Sequence, residues 1–366
     1  MKDLSIYIHI PFCKTICVYC GFLTFANKGK LIPDYLEALH REIVGKAEGF
    51  RKRRTVSIYF GGGTPSLLTS DQVNGILDLV RKNFDITNTA EITLECNPES
   101  IDPEKLRAYK KAGVNRISLG VQSLDRKCLW RVARSHDEKT ALEAVDTIKH
   151  SRIRNFGLDF IIGLPYQNLT SFKKELKQIL EYKPPHLSYY FLSPDTKKID
   201  LIKADCPSEE EQLKMYKHLT MTLEKTGYIH YEVSNYALPG FECRHNLRYW
   251  NQLEYLGLGL GAHSYYDRQC TENENDFGKY LQNPLKIADR FPIDDELDQL
   301  EYVMLQLRTR KGLDLEIYKK KNGDPVALLK RAKKYLQKGL LKFDGKRLSP
   351  GDKGFLIIDS ITNDLI

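Results

Sequence analysis

Through the first half of the chain, short runs rich in β-branched and aromatic residues alternate with longer stretches whose apolar positions recur every three to four residues. The first pattern marks strands, the second amphipathic helices. The strand-like runs are Leu4 to Ile10, Val56 to Phe60, Glu91 to Glu95, Arg116 to Gln122, Phe156 to Ile162 and His186 to Leu192. Between them lie helical stretches near Pro33 to Glu48, Asp71 to Asn83, Pro103 to Lys111, Glu138 to His150 and Ser171 to Tyr182. Strands alternating with helices predict β/α units on a parallel sheet. Periodicity does not choose between an open doubly wound sheet and a curved partial barrel. Either architecture places its ligands just beyond the carboxyl ends of the strands.

Past about residue 285 the pattern becomes mainly helical. Asp294 to Arg308, Leu313 to Lys321 and Pro325 to Lys338 read as amphipathic helices. A hairpin-like stretch over Lys342 to Leu348, turning at Asp344-Gly345, precedes a last helix over Asp352 to Ile361. This arrangement predicts a winged-helix-like C-terminal domain. Its lysines, among them Lys319, Lys320, Lys321, Lys333 and Lys334, suit nucleic acid, but the shape alone assigns no such role.

At 366 residues and 42% hydrophobic, the chain is long enough for a large core and more than one domain. No apolar stretch approaches the ~18 residues that span a bilayer. Met1 to Ser5 lacks the basic and apolar regions of a signal peptide, so a cytoplasmic location is expected. The net charge of +8 arises from Lys and Arg interleaved with acids, which suits an anionic ligand as well as a nucleic acid. The densest basic run, Arg51 to Arg54, falls between a helix and a strand and reads as a solvated loop.

The unusual residues follow the strands. After the first come Cys13, Cys17 and Cys20. Spaced C-x3-C-x2-C, they supply three thiolates where an iron-sulfur cluster normally takes four, leaving one iron open to another ligand. A structural zinc site would want a second Cys or His pair, and a disulfide an oxidising compartment. Cys96, Cys128, Cys206, Cys243 and Cys270 are scattered singly. After the second strand, Gly61-Gly62-Gly63-Thr64-Pro65 lets the backbone pass close to a ligand, or simply makes a tight turn. Glu95, Gln122 and Asp159 are polar groups in otherwise apolar strands, where burial without partners is costly. Arg134 adds a fixed positive charge that suits either a ligand carboxylate or the surface.

Four motifs, Tyr7 to Cys13, Gly61 to Ser66, Gly120 to Ser123 and Gly163-Leu164-Pro165, resemble those of the oxygen-independent coproporphyrinogen III oxidases and their relatives. The likeness continues through Tyr231 to Ala237, His245 to Trp250 and Gly257 to Ser264, and covers nearly the whole chain. It implies a partial (β/α)6 TIM-like barrel of the radical S-adenosylmethionine (SAM) type over 1–205. A family-specific extension over 206–285 and the C-terminal domain over 286–366, which caps the active site or contacts partners, would follow. It further implies that Cys13, Cys17 and Cys20 hold a 4Fe-4S cluster whose open iron is chelated by SAM. Tyr7, Gly62, Gly63, Thr64, Glu95, Gln122, Arg134 and Asp159 match SAM-contacting positions, and Phe22 sits where an aromatic packs beside the adenine or fills the core next to the cluster.

Within the family the chain is most similar to the heme-chaperone branch. The oxidases carry a further cysteine two residues beyond the triad, where Phe22 stands here, and a long N-terminal extension, whereas twelve residues precede Cys13. The segment His245-Asn246-Leu247-Arg248-Tyr249-Trp250 matches the branch's heme-associated motif, with His245 as axial ligand, Arg248 for a propionate, and Cys243 or His263 as alternative ligands. The resemblance implies heme as cargo, an acceptor protein for it, an electron-donor protein, and no nucleic acid. Two other readings remain at this point: a radical SAM enzyme acting on a porphyrin, and a DNA-binding regulator built on a redox cluster.

Overall fold

All six predicted strands form in the computed structural model, which describes residues 1–192 and 199–366. β1 (Lys2–Ile10), β2 (Arg53–Gly62), β3 (Asp85–Cys96), β4 (Arg116–Gln122), β5 (Asn155–Ile162) and β6 (His186–Phe191) lie side by side in chain order, each parallel to the next. The linking helices are α1 (Ile32–Ala47), α2 (Ser70–Asn83), α3 (Pro103–Lys111), α4 (Arg126–Arg131), α5 (Glu138–His150) and α6 (Leu169–Glu181). Their starts are written in the sequence. Thr69 and Gln72 form a capping box for α2, and the Asp102 carboxylate accepts the Glu104 and Lys105 amides ahead of Pro103 in α3. Helix α4 has six residues, too few to reveal a period.

Alternation along β1 sorts the two faces. Leu4, Ile6, Ile8 and Ile10 are fully buried in the main core, while Ser5, Tyr7 and His9 turn to the barrel interior beside Ser57 and Tyr59 of β2. Residues of the expected extension over 206–285, and the strand Ile287–Pro292 just beyond it, join both edges of this sheet. α7 (Glu209–Lys225) leads to β7 (Ile229–Glu232) and β8 (Asn235–Ala237), and β8 pairs with β6. After α8 (Arg244–Trp250), β9 (Tyr255–Leu258) pairs parallel with β1. β10 (His263–Tyr266), β11 (Gln269–Asn273) and β12 (Ile287–Pro292) continue antiparallel to complete twelve strands. Among the described residues no helix is long and apolar enough to cross a membrane.

The C-terminal region builds its own core from α9 (Asp295–Gln306), α10 (Leu315–Asn322), α11 (Val326–Gln337) and α12 (Ile358–Leu365), around Leu307, Leu328, Leu348 and Ile361. Its small sheet orders β13 (Leu313–Asp314), β15 (Arg347–Pro350) and β14 (Leu341–Phe343). The last helix starts later than its predicted Asp352, because residues 351–354 form a packed turn. A Cβ at Gly354 would stand 1.9 Å from the Leu340 carbonyl oxygen. This unit rests on α8 and the β7 edge: Gln306 Nε2 donates to the Trp250 carbonyl (2.8 Å), and the Val233 amide to the Arg308 carbonyl (2.9 Å). Those contacts reach α8 and the β7 edge, not the cysteine loop. The C-terminal lysines are partly spent on acids, Lys321 on Asp298 and Lys334 on Asp364.

Candidate functional site

At the carboxyl ends of β1 to β6 a cavity of about 450 Å3 opens, within the usual range for small-molecule sites. Cys13, Cys17 and Cys20 line it together with Phe22, Gly62, Gly63 and Thr64. The glycine turn is tied to the cysteine loop by two backbone bonds, Gly63 N–H to Ile10 C=O (2.9 Å) and Thr64 N–H to Phe12 C=O (2.8 Å). Side chains have no room at this joint: a Cβ on Gly63 would lie 2.6 Å from the Phe12 carbonyl oxygen, and Gly62 adopts φ 107°. The Thr64 hydroxyl donates to the Cys13 sulfur at 3.6 Å. Burial pushes the Cys13 and Cys20 thiols up, so thiolates here need a cation to form. Three cysteine thiols on one loop, all lining one cavity, are the donor chemistry of an iron-sulfur cluster.

Glu95, Gln122, Arg134 and Asp159 complete the wall. Burial raises the Glu95 carboxyl to about 7, opposed by the Tyr59 hydroxyl that donates to it (2.8 Å) and reinforced by the charge of Asp159. Asp159 is likewise raised by burial. Its Oδ2 accepts from Ser118 (2.9 Å), and its buried Oδ1 has no partner. Gln122 holds φ 66°, a left-handed conformation unusual for a side chain of this size, at an irregularity in the β4–β5 register. Such strain is typical where surrounding structure forces a residue toward a site.

Arg134 is not a surface arginine. Nη1 reaches the Cys17 sulfur (3.7 Å), while Nη2 donates to Asn97 Oδ1 (3.0 Å) and to the Gly120 carbonyl. Its buried Nε is unpartnered. Phe22 is 71% exposed at the cavity mouth, so it does not fill the core beside the cluster. Tyr7 alone of the expected SAM residues lies off the wall, stacked beneath on Tyr59 and bonded to His9. Tyr59, Asn97 and Ser118 were not anticipated. Strand alternation carries the signal for two of them, since Tyr59 shares a face with Gly61 and Ser118 with Gly120.

The structure places His245 at the opposite end of the barrel. Helix α8 closes the amino ends of the strands, and His245 is 1% exposed. Ser57 donates onward to Ser5 (2.7 Å), so the ring's Nδ1–H donates to Ser57 (2.9 Å) and Tyr249 donates to Nε2 (2.9 Å). Burial, then the charges of Arg248 and Arg116, hold the imidazole down at about 3. The neighbouring backbone is anchored as well, because the buried Glu91 carboxylate accepts the Arg244 and His245 amides (3.2 and 3.0 Å). Both ring nitrogens are thus committed, and iron ligation by His245 requires α8 to come apart. Cys243 is fully buried, its thiol pushed up to about 12 by burial. His263 opens β10 as an exposed residue; a Cβ on Gly261, two residues earlier, would lie 2.7 Å from Leu23 beside Phe22.

A parallel barrel that gathers three thiols at its carboxyl end is the signature of the radical SAM superfamily, whose family model matches residues 7–179. The model of the HemN C-terminal domain matches residues 297–357. The chain belongs to the heme chaperone HemW family. It is 34% identical to heme chaperone HemW of Buchnera aphidicola, over 99% of this chain and 98% of the relative, and 33% identical to that of Lactococcus lactis over 97% and 95%. A solved structure of coproporphyrinogen III oxidase (HemN) from Escherichia coli, described as a radical SAM enzyme, superposes with a TM-score of 0.88 at 26% identity, covering 100% of this chain and 90% of that one.

Proposed function

We propose that this protein is a cytoplasmic heme chaperone that binds heme, carries a SAM-coordinated 4Fe-4S cluster and passes heme to an acceptor protein. The full-length match to heme chaperones carries this reading. When bound, cluster and SAM supply one-electron chemistry at a carbon-sulfur bond. The chain's own residues prepare the place: Cys13, Cys17 and Cys20 offer thiolates, Arg134 screens the charge at Cys17, and the Gly62-Gly63 turn leaves backbone room. Glu95 and Asp159 offer carboxyls to a cationic amine or ribose hydroxyls. Three thiols that must stay reduced suit a reducing compartment, and an electron donor protein is part of the proposal.

For the heme iron we propose His263 in place of His245, because it is the exposed imidazole of the two and neutral imidazole is a common axial ligand. Porphyrinogen decarboxylation is the second reading, supported by the likeness to HemN and weakened by Phe22, which stands where the oxidases keep a further cysteine. One anaerobic experiment separates them. The reconstituted protein is given SAM, a reductant and either heme or coproporphyrinogen III. The chaperone reading expects heme to be bound and released to an apo-hemoprotein, with coproporphyrinogen unchanged; sustained formation of a decarboxylated porphyrin would overturn it.

A further inference from the structure

A cluster reached only through the cavity still has to be reduced from outside, and one surface leads straight to it. Helix α4 lies beside the cysteine loop: the Val18 amide donates to the Val132 carbonyl (3.2 Å), and Val18 and Tyr19 pack on the small core of Cys128, Val132, Ile161 and Leu164. The Arg134 amide folds back on the Leu129 carbonyl (2.9 Å), while its guanidinium touches the Cys17 sulfur. One short helix is therefore linked to the cluster ligands by a backbone bond and by a side chain.

The outer face of α4 has no use in the fold. Trp130 is 74% exposed, more than any other aromatic among the described residues. Arg126 and Lys127 flank it and are exposed. The one acid in front of them, Asp125, is spent on capping the helix, accepting the Lys127 amide at 2.7 Å. Arg131 is held against Asp205 (2.7 Å) and the Leu201 carbonyl, beside Tyr166, which is 44% exposed. Lys14 on the cysteine loop and Lys203 are exposed with no acid partner among the described ion pairs. A rigid aromatic ringed by cations is the composition of a binding hot spot, and its charge calls for an acidic partner.

We propose that the α4 face, centred on Trp130 with Arg126 and Lys127, docks a small acidic electron-carrier protein that reduces the cluster. The step is a single-electron transfer: the carrier is oxidised by one electron and the cluster reduced by one, with no bond made or broken. The inference rests on the reading that Cys13, Cys17 and Cys20 hold a 4Fe-4S cluster. Small redox encounters of this kind are weak, electrostatically steered and sensitive to salt.

The test uses bacterial flavodoxin as the probe, with the reconstituted full-length protein. Stopped-flow absorbance follows cluster reduction by flavodoxin hydroquinone, and a separate titration measures binding of oxidised flavodoxin. The variant carrying Arg126→Glu and Lys127→Glu should slow reduction by about tenfold or more at low salt and flatten its salt dependence. Trp130→Ala should weaken binding at every salt concentration, and Trp130→Phe should restore most of it. Dithionite, which needs no docking, should reduce all variants as it does the wild type. Unchanged flavodoxin kinetics and affinity in protein that dithionite reduces would overturn the docking site and leave the cluster reading intact. A wild type that holds no dithionite-reducible cluster would overturn the cluster reading and the docking site with it. Slower heme hand-over with normal flavodoxin reduction would give this face to the heme acceptor, and so also overturn the proposal.

Discussion

At the carboxyl end of the barrel, Asp159 keeps a buried oxygen without a partner, Arg134 keeps its Nε free, and Gln122 is held in a left-handed conformation. At the amino end, His245 has both ring nitrogens bonded and Glu91 accepts two backbone amides. Both ends are polar, and both sit inside one continuous apolar shell. The difference is that the first set converges on a cavity and the second is consumed by helix α8. Polar groups that a fold buries at a cost are expected to find partners; the amino end leaves some unpaired too, Arg248 Nε and Trp250 Nε1 on α8 among them, so it is the convergence of Asp159, Arg134 and Gln122 on one cavity that points to a ligand. Residue type alone does not separate the two situations, and a histidine beside aromatics reads equally well as ligand or as plug.

The thiols should separate the two ends most clearly. Replacing Cys13, Cys17 and Cys20 together by Ala should abolish bound iron and sulfide after anaerobic reconstitution, with little change in thermal unfolding, since the loop lies outside the main core. His245→Ala should do the reverse. Losing the ring and orphaning Ser57 and Tyr249 should destabilise the protein by about 3 kcal/mol, read by urea unfolding, while the folded fraction keeps its iron. A heme titration that collapses in His263→Ala and survives in folded His245→Ala would place the heme at the open end.

Acid should attack the two ends differently. The His245 imidazole falls from 6.5 to about 3 on folding, so the unfolded chain takes up the proton first as pH drops. Its contribution is intact above pH 6.5 and lost progressively toward pH 3, amounting to roughly 2–3 kcal/mol at pH 4.5. His186 and His230, also lowered by burial, add to this slope. Glu95 works in the opposite sense: raised to about 7, it favours the fold below pH 4.5 and ceases to do so as pH rises through 7. Urea midpoints between pH 4 and 8 should show the acid-side loss flattened in His245→Gln and the neutral-side slope flattened in Glu95→Gln. The smallest effect is expected at Gln122. Gln122→Gly removes the left-handed strain and adds chain entropy, so stability should move by less than about 1 kcal/mol, while SAM binding measured by calorimetry weakens.

Much of the open end was legible in the chain. Cysteine spacing, the glycine turn and the three strand-end polar residues all stand where β/α periodicity puts ligands, and the structure gathers them around one cavity. Arg134 was ambiguous because its role depends on a fold-back through Ala133, which sits at φ 61°. The amino end was not legible. Helix α8 has seven residues, and the partners of His245 come from β2, β3 and its own next turn, a convergence that no local pattern announces. The placement of the C-terminal unit on α8 and the β7 edge was hidden for the same reason, since its contacts join residues as far apart as Trp250 and Gln306.

The carboxyl end is thus the working end of the barrel and α8 a structural plug. That division is tested most directly by electron paramagnetic resonance of the dithionite-reduced, reconstituted protein before and after SAM, in the wild type and in the His245→Gln variant. About four irons per chain and a cluster signal that SAM shifts identically in both proteins are expected. A signal indifferent to SAM in the wild type, or a SAM response lost in folded His245→Gln, would contradict that division.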